Sequence, residues 1–388
     1  MGMEHKTVIG GGLAGLASAI SLARRGFRVR LLEHSSHLGG RAITTSERGF
    51  LFNLGPHALY RSGHAYRVLS EWGIAPTGTR PDPGARANLV HQGRLVDFPQ
   101  SVKGLLFSSF LNAREKLDAA NALRKLQAHK QHEGHFLDWV RSEVATEKVA
   151  AFVHAMIRVA TYNNEHDRLS AQAAIQQFQA AAADGVIYLD RGWQSLIDAM
   201  EAYAIQLGVH IEKNATPVAD AGSILAVPPL QVEKLTGARL PATRPVRMAC
   251  LDLGLSSLPP KSSLFALGLD EPIYFSVHSH WARIAPEGQA VVHIGKYLGG
   301  EPASAAADRA ELEAFADLAM PGWRDRVIVD RFLPDMTVAH SAPWLLAPRP
   351  KVDAIPGFFL AGDWVGDQAM LADASFASAA RAAELAAA

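Results

Sequence analysis

The chain has 388 residues, 48% hydrophobic and 20% charged, an ordinary globular composition with length for two or three domains. Its 38 Lys+Arg balance 38 Asp+Glu, so no overall basic field points to nucleic acid. Cys250 is the single cysteine, which excludes an intrachain disulfide and a redox dithiol. Thr7-Val8-Ile9 is a β-prone run that ends at a glycine turn, with Gly10, Gly12 and Gly15 in G-x-G-x-x-G spacing. Gly10 permits the tight turn, Gly12 lets backbone approach a pyrophosphate, and Gly15 lets the next helix pack close to the strand. That helix opens at Leu13 and Ala14, whose end of the dipole favours phosphate. Leu16, Ala19, Ile20 and Ala23 give it one apolar face, and Gly26 ends it. Residues 29–32 form the next strand. Glu33 stands at its end beside His34, placed to accept hydrogen bonds from a ribose diol and to repel a 2′-phosphate. Gly39, Gly40 and Arg41 follow, and Arg41 offers a cation.

Residues 52–57 read Phe-Asn-Leu-Gly-Pro-His, and 61–185 read as mostly helical. Helical periodicity covers 113–131 and 136–161, while Pro81, Pro83 and Gly84 mark a loop. A strand is predicted over 186–189. Leu196, Met200, Tyr203 and Leu207 share a helix face, Gly208 stops that helix, and 209–211 make the next strand. The stretch 215–227 runs quickly to Pro228-Pro229. Residues 244–335 predict a sheet. Ile273, Phe275 and Val277 alternate with Tyr274, Ser276 and His278, 289–298 is a strand carrying Lys296, 311–319 a helix and 327–332 a strand. Near the far end a hydrophobic strand ends in Gly362-Asp363, and Met370-Leu371-Ala372 opens an alanine-rich helix.

Glu33 followed by Gly39-Gly40-Arg41-Ala42 resembles the extended fingerprint of FAD proteins of the glutathione-reductase type. Residues 356–363 with 370–375 resemble the C-terminal signature of the flavin amine oxidase, protoporphyrinogen oxidase and phytoene desaturase superfamily. The likeness spans most of the chain, but its specific motifs cover only the cofactor-binding parts. It implies an α/β fold, a Rossmann-type FAD-binding domain (1–60, 186–235 and 345–388) with a second α+β substrate-binding domain (61–185 and 236–344). FAD would be held by Gly10, Gly12, Leu13, Ala14, Gly15, Glu33, His34, Gly39, Gly40 and Arg41. Gly55, Pro56 and His57 resemble a loop that passes the flavin ring. Val218, Gly362, Asp363, Met370, Leu371 and Ala372 complete the set. Asp363 would lie by the ribityl–phosphate arm, and the last helix would point its N-terminus at the pyrimidine ring, where its dipole stabilises negative charge. Trp193 stands where the family usually has a second glycine. No cysteine lies near the C-terminal motif, so non-covalent FAD is expected, with Cys250 a buried structural thiol.

The reaction implied is oxidation or desaturation of a partly apolar small molecule, by hydride transfer from carbon to flavin N5. One dinucleotide fingerprint leaves no NAD(P)H domain, so O2 or a quinone-like acceptor would take the electrons. A flavin-dependent isomerase and a non-catalytic flavin-binding protein stay open. His57 could polarise substrate or bond the flavin, and reads equally as a histidine capping a turn. Lys296 resembles the amine-oxidase lysine that bridges to flavin N5 through water, and reads also as a solvated strand lysine. His340 holds a position that often reaches the family's substrate cavity. Tyr274, Phe275, Trp281 and Trp344 line a pocket or belong to the core. No metal site is read. No apolar run is long enough to span a bilayer, peripheral membrane contact stays open, and the early first strand leaves no room for a signal peptide, so a cytoplasmic location is expected.

Overall fold

The computed structural model describes residues 4–82, 84–300 and 304–388, so the loop signal at Pro83 lies outside the described residues. Five parallel strands form one sheet, in the order His210–Glu212, Arg28–Leu32, His5–Ile9, Ile224–Leu225 and Phe359–Leu360. The first and last parts of the chain thus lie in one sheet, two strands apart.

Helix Leu13–Ala23 is buried from Ala14 through Leu22, not on one face as its periodicity predicts. Its residues are small, and helices Leu371–Ala386 and Gln194–Gln206 pack against it while it covers the sheet. Ser18 is accommodated by donating to Ala14 O at 2.8 Å. Gly10 takes φ +102°, and a Cβ on Gly15 would lie 1.7 Å from Gly10 O. The strand and the helix therefore touch backbone to backbone.

The second sheet has seven strands, in the order Val327–Ala339, Val246–Leu255, Ala290–Leu298, Ile273–Ser276, Phe265–Gly268, Ala87–His91 and Arg94–Asp97. All its pairings are antiparallel except Phe265–Gly268 with Ala87–His91. The period-two pattern at 273–276 reflects two buried faces. Ile273 and Phe275 pack with Phe315 of helix Ala305–Ala319, while Tyr274 packs with Phe152 of helix Glu147–Thr161. Strand Val327–Ala339 runs well past the predicted 332, with irregular register against Val246–Leu255, and so carries Met336 to Val338 into the site described below.

The predicted helix over 136–161 is two helices, Phe136–Glu143 and Glu147–Thr161. The break is made by Asp118 on helix Ala113–Gln127. Its carboxylate accepts from the N–H groups of Ala145 (3.0 Å) and Thr146 (2.9 Å) and from the Thr146 hydroxyl (2.8 Å), capping the second helix from outside. The predicted strand over 186–189 is present, but it pairs antiparallel with Leu59–Tyr60 and Gly78–Thr79 in a small third sheet.

Candidate active site

Both ends of the chain and the edge strand Val327–Ala339 of the second sheet line one cavity of about 630 Å³. Gly10, Gly12, Leu13, Ala14, Glu33, His34, Gly39, Gly40 and Arg41 form one wall, and Gly362, Asp363, Leu371 and Ala372 another. Helix Leu13–Ala23 has Gly12 at its N-cap, and helix Leu371–Ala386 has Met370 there. Neither has a side-chain cap, so two sets of helix N–H donors open at this cavity. A Cβ on Gly12 would meet only Gly39 O, at 3.8 Å, so the backbone there faces open space.

The walls carry fixed charge. Glu33 accepts from Gly11 N at 2.6 Å and from Ser35 N at 2.8 Å, which holds its carboxylate at the strand end. Asp363 is buried, and its Oδ2 pairs with Arg41 Nη1 at 2.8 Å and accepts from His340 N at 3.2 Å. Arg41 also donates to Val338 O at 2.5 Å, tying the glycine loop to the long strand. The other Asp363 oxygen, Oδ1, is buried with no partner. A buried acceptor without a donor carries a desolvation cost that a ligand hydroxyl would relieve. Two uncapped helix ends, a glycine cradle, Glu33 and the free Asp363 oxygen suit an adenine dinucleotide with a polyol arm, and FAD fits this set.

The lining also carries an apolar and aromatic set, Leu54, Tyr60, Tyr162, Trp193, Met336 and Val338. His57 and His340 stand in the lining. The His57 ring lies 5.2 Å edge-on from Trp193, and Nδ1 donates to Gly55 O at 3.2 Å, which leaves Nε2 an acceptor. Burial first, then nearby cations, push His57 down to about 4. Burial and then Arg41 push His340 down to about 4. Both rings are neutral at neutral pH. Asp373, in the first turn of the last helix, also lines the cavity; burial pushes it up to about 6 while it accepts from Ala65 N at 2.7 Å.

Behind the His57 loop lies a buried charged network. Asp252 is wholly buried and accepts from His293 Nδ1 at 2.5 Å and Arg331 Nε at 3.0 Å, with Cys250 Sγ at 3.0 Å from it. Burial alone would raise the Asp252 carboxyl, and His293 with Arg331 more than reverse that, holding it below the usual range. Arg331 also donates to Asn53 O and to Thr45 Oγ1, and Asn53 Oδ1 accepts from Thr44 Oγ1 and Trp193 N. Cys250, Asp252 and His293 converge as metal ligands would, but the Arg331 guanidinium already supplies the positive charge.

Several sequence expectations need correction. Lys296 does not reach the cavity. It pairs with Asp308 at 2.8 Å and Glu311 at 2.7 Å on helix Ala305–Ala319, since its side of the strand faces that helix. Val218 is exposed and outside the lining, and its neighbours Thr216 and Pro217 take that wall because the chain turns outward after Pro217. Gly15, Gly55 and Met370 lie behind the lining. Gly15 sets the helix–strand approach, Gly55 admits Met336, whose Sδ would lie 2.8 Å from a Cβ there, and Met370 packs in the core under the last helix. Tyr274, Phe275, Trp281 and Trp344 are core residues. The sequence reading missed Gly11, Tyr60, Tyr162, Asp373 and the 336–338 segment. Only Asp373 carried a signal, as an acidic residue in a helix first turn.

Residues 13–219, more than half of the chain, match the family model described as flavin containing amine oxidoreductase. The chain belongs to that family. Among curated proteins, a coproporphyrinogen III oxidase of Propionibacterium freudenreichii subsp. freudenreichii is 36% identical over 97 residues, covering 24% of this chain and 18% of that protein. A 4,4'-diaponeurosporene oxygenase of Staphylococcus aureus (strain USA300) is 45% identical over 56 residues, covering 14% of this chain and 11% of its own length. The matched stretches thus span less than a fifth of these relatives. Among solved structures, an oxidoreductase from Methanosarcina mazei superposes with a TM-score of 0.78 at 17% identity, over 98% of this chain and 100% of that one, a likeness of fold. Membership of the flavin containing amine oxidoreductase family implies a flavin cofactor. No helix among the described residues is long and apolar enough to cross a membrane.

The shifted groups set a pH dependence whose sign can be worked out. His57, His154 and His340 each sit near 4 in the fold against 6.5 when free. Between those values the unfolded chain binds protons the folded chain refuses, so stability falls as pH falls through that window. Asp252, held low, adds to the loss at lower pH. Asp373 runs the other way, near 6 folded against 3.8, and favours the fold on acidification. Three histidines outweigh one carboxyl. Thermal melts should drop by several degrees from neutral pH to about 5, where these histidines titrate only in the unfolded chain. A flat or rising profile would overturn the assignment.

Proposed function

We propose that this protein oxidises or desaturates a partly apolar small molecule by removing a hydride from carbon, using FAD held non-covalently in the cavity, with O2 or a quinone-like compound as final acceptor. The observation that carries this reading is continuity. One cavity joins the dinucleotide cradle of Gly10–Glu33 and Asp363 to the aromatic wall of Tyr60, Tyr162 and Trp193. Bound FAD supplies the hydride-accepting chemistry. The glycine turn and the first helix end hold the pyrophosphate, Glu33 the ribose diol, and Asp363 Oδ1 a hydroxyl of the polyol arm. The N-terminus of Leu371–Ala386 stabilises negative charge, and the aromatic wall excludes water from the apolar substrate. Neutral His57 offers Nε2 as an acceptor toward the substrate side. His340 holds Asp363 through its backbone N–H. Residues 1–60, 186–235 and 345–388 hold the cofactor, with His57, Tyr60 and Trp193 among them also facing the substrate, and 61–185 with 236–344 supply the rest of the substrate side. Cys250 is buried against Asp252, off the cavity, which supports non-covalent attachment. No feature of the described residues supplies a second dinucleotide turn.

The test is anaerobic titration of the yellow protein with amines, polyenes and porphyrinogens, following flavin absorbance. Bleaching by one class, with release of free FAD on acid precipitation, is the expected result, and Asp363→Ala should weaken flavin retention about tenfold or more, the worth of a hydrogen bond to a charged group. No bleaching by any class, a product of unchanged mass, or protein that binds no FAD would sink the reading. Rapid reduction by NADPH would overturn the acceptor.

A further inference from the structure

Single exposed apolar side chains are normal on a protein surface, but a contiguous group marks a contact. Helix Val102–Phe107 leaves three of its large apolar residues in solvent, Val102 at 78%, Leu106 at 61% and Phe107 at 79% exposure. Only Leu105 of this helix is buried, where it joins the helical core, and the helix packs on Ala113–Gln127. Val102 and Leu106 are one turn apart and share a face, and Lys103 stands one turn before Phe107. On the neighbouring helix Leu117 is 74% exposed and Arg114 is exposed beside it. The hydrophobic inside–polar outside rule is inverted here. One residue anchors the helix, and the rest of its apolar surface faces out.

The charge around this patch is predominantly positive. Lys103, Arg114 and Lys116 have no carboxylate partner among the described residues, whereas the acids of the same stretch are taken. Glu115 pairs with Lys148 at 3.3 Å and closes the capping box with Asn112, and Asp118 caps residues 145 and 146. We infer that helix Val102–Phe107, with Leu117, is an insertion surface for an anionic lipid bilayer. Apolar side chains that point outward, ringed by lysine and arginine whose stems can reach back to headgroups, are what an interfacial anchor requires. A second copy of the chain fits less well, because a two-fold contact would set Lys103, Arg114 and Lys116 against their own symmetry mates.

The experiment is co-sedimentation of the full chain with vesicles of mixed phosphatidylglycerol and phosphatidylcholine, and with phosphatidylcholine alone. The wild type should pellet with the anionic vesicles, less with the neutral ones, and be released by salt. The combined change Val102→Ser, Leu106→Ser and Phe107→Ser should abolish pelleting with both. Lys103→Glu with Arg114→Glu should abolish the preference for anionic lipid. Circular dichroism melts like the wild type's establish that both variants fold. Wild type that stays in the supernatant with either vesicle, or a triple variant that pellets as before, overturns the inference. So does a wild-type dimer, seen by light scattering, that the triple variant turns into monomer, since the patch would then belong to a second copy.

Discussion

Asp252→Ala is expected to cost about 3–5 kcal/mol, the range for stranding a buried charge by removing its partner. Against a usual margin of about 5–15 kcal/mol, that brings the protein close to unfolding. Asp252 is wholly buried and takes both the Arg331 guanidinium and the His293 ring. Without the carboxylate, Arg331 is left mostly buried, still tied to Asn53 O and Thr45 Oγ1 with no counter-charge. The damage reaches the cavity, because Asn53 begins the loop to His57 and its side chain holds the N-terminus of helix Gln194–Gln206 through Trp193 N at 3.0 Å. Asp252→Asn should fall between, and Asp252→Leu with Arg331→Met should recover much of the loss, since both charges then leave together. Urea melts would measure this. An Asp252→Ala protein within about 1 kcal/mol of the wild type would show that the network is solvated in solution.

Gly15→Ala should cost about 3 kcal/mol or more, at the upper end of overpacking, because the added methyl meets backbone rather than a side chain that can turn away. Its Cβ would lie 1.7 Å from Gly10 O, so the first helix must leave the first strand. Flavin binding and folding should fail together. Gly12→Ala separates the two, since its Cβ has only Gly39 O within reach, at 3.8 Å, and projects toward the open cavity. That variant should melt like the flavin-free wild type while failing to retain flavin. Flavin absorbance alongside the melts distinguishes the cases, and equal melting for both variants would refute the packing account of Gly15.

The glycine-turn part of the cavity was legible because its signals are local. A tight turn, a close helix–strand approach and an acidic strand end each leave a residue type at a fixed spacing, and Gly10, Gly12, Glu33 and Asp363 all line the cavity. The other wall depends on which strands meet, and spacing says nothing about that. Lys296 looked free until helix Ala305–Ala319 brought Asp308 and Glu311 to it. The break between Phe136–Glu143 and Glu147–Thr161 was hidden because the residue that makes it, Asp118, belongs to another helix. Tyr60 and Tyr162 became wall residues only through the packing of helices on the second sheet, and Met336 through a strand longer than its apolar pattern. In each case the deciding partner is distant in sequence.

The first sheet also fixes an order of events. Its edge strand Phe359–Leu360 and the helix that follows come from the far end of the chain, yet they flank the segment that begins near residue 5. During synthesis the glycine turn leaves the ribosome long before Asp363 exists. Until then helix Leu13–Ala23, apolar on all sides, has lost none of its surface to Leu371–Ala386 and is open to chaperones and to aggregation. The cavity is therefore complete only after translation of helix Leu371–Ala386, and a flavin bridging its walls would act as a clasp between segments far apart in the chain.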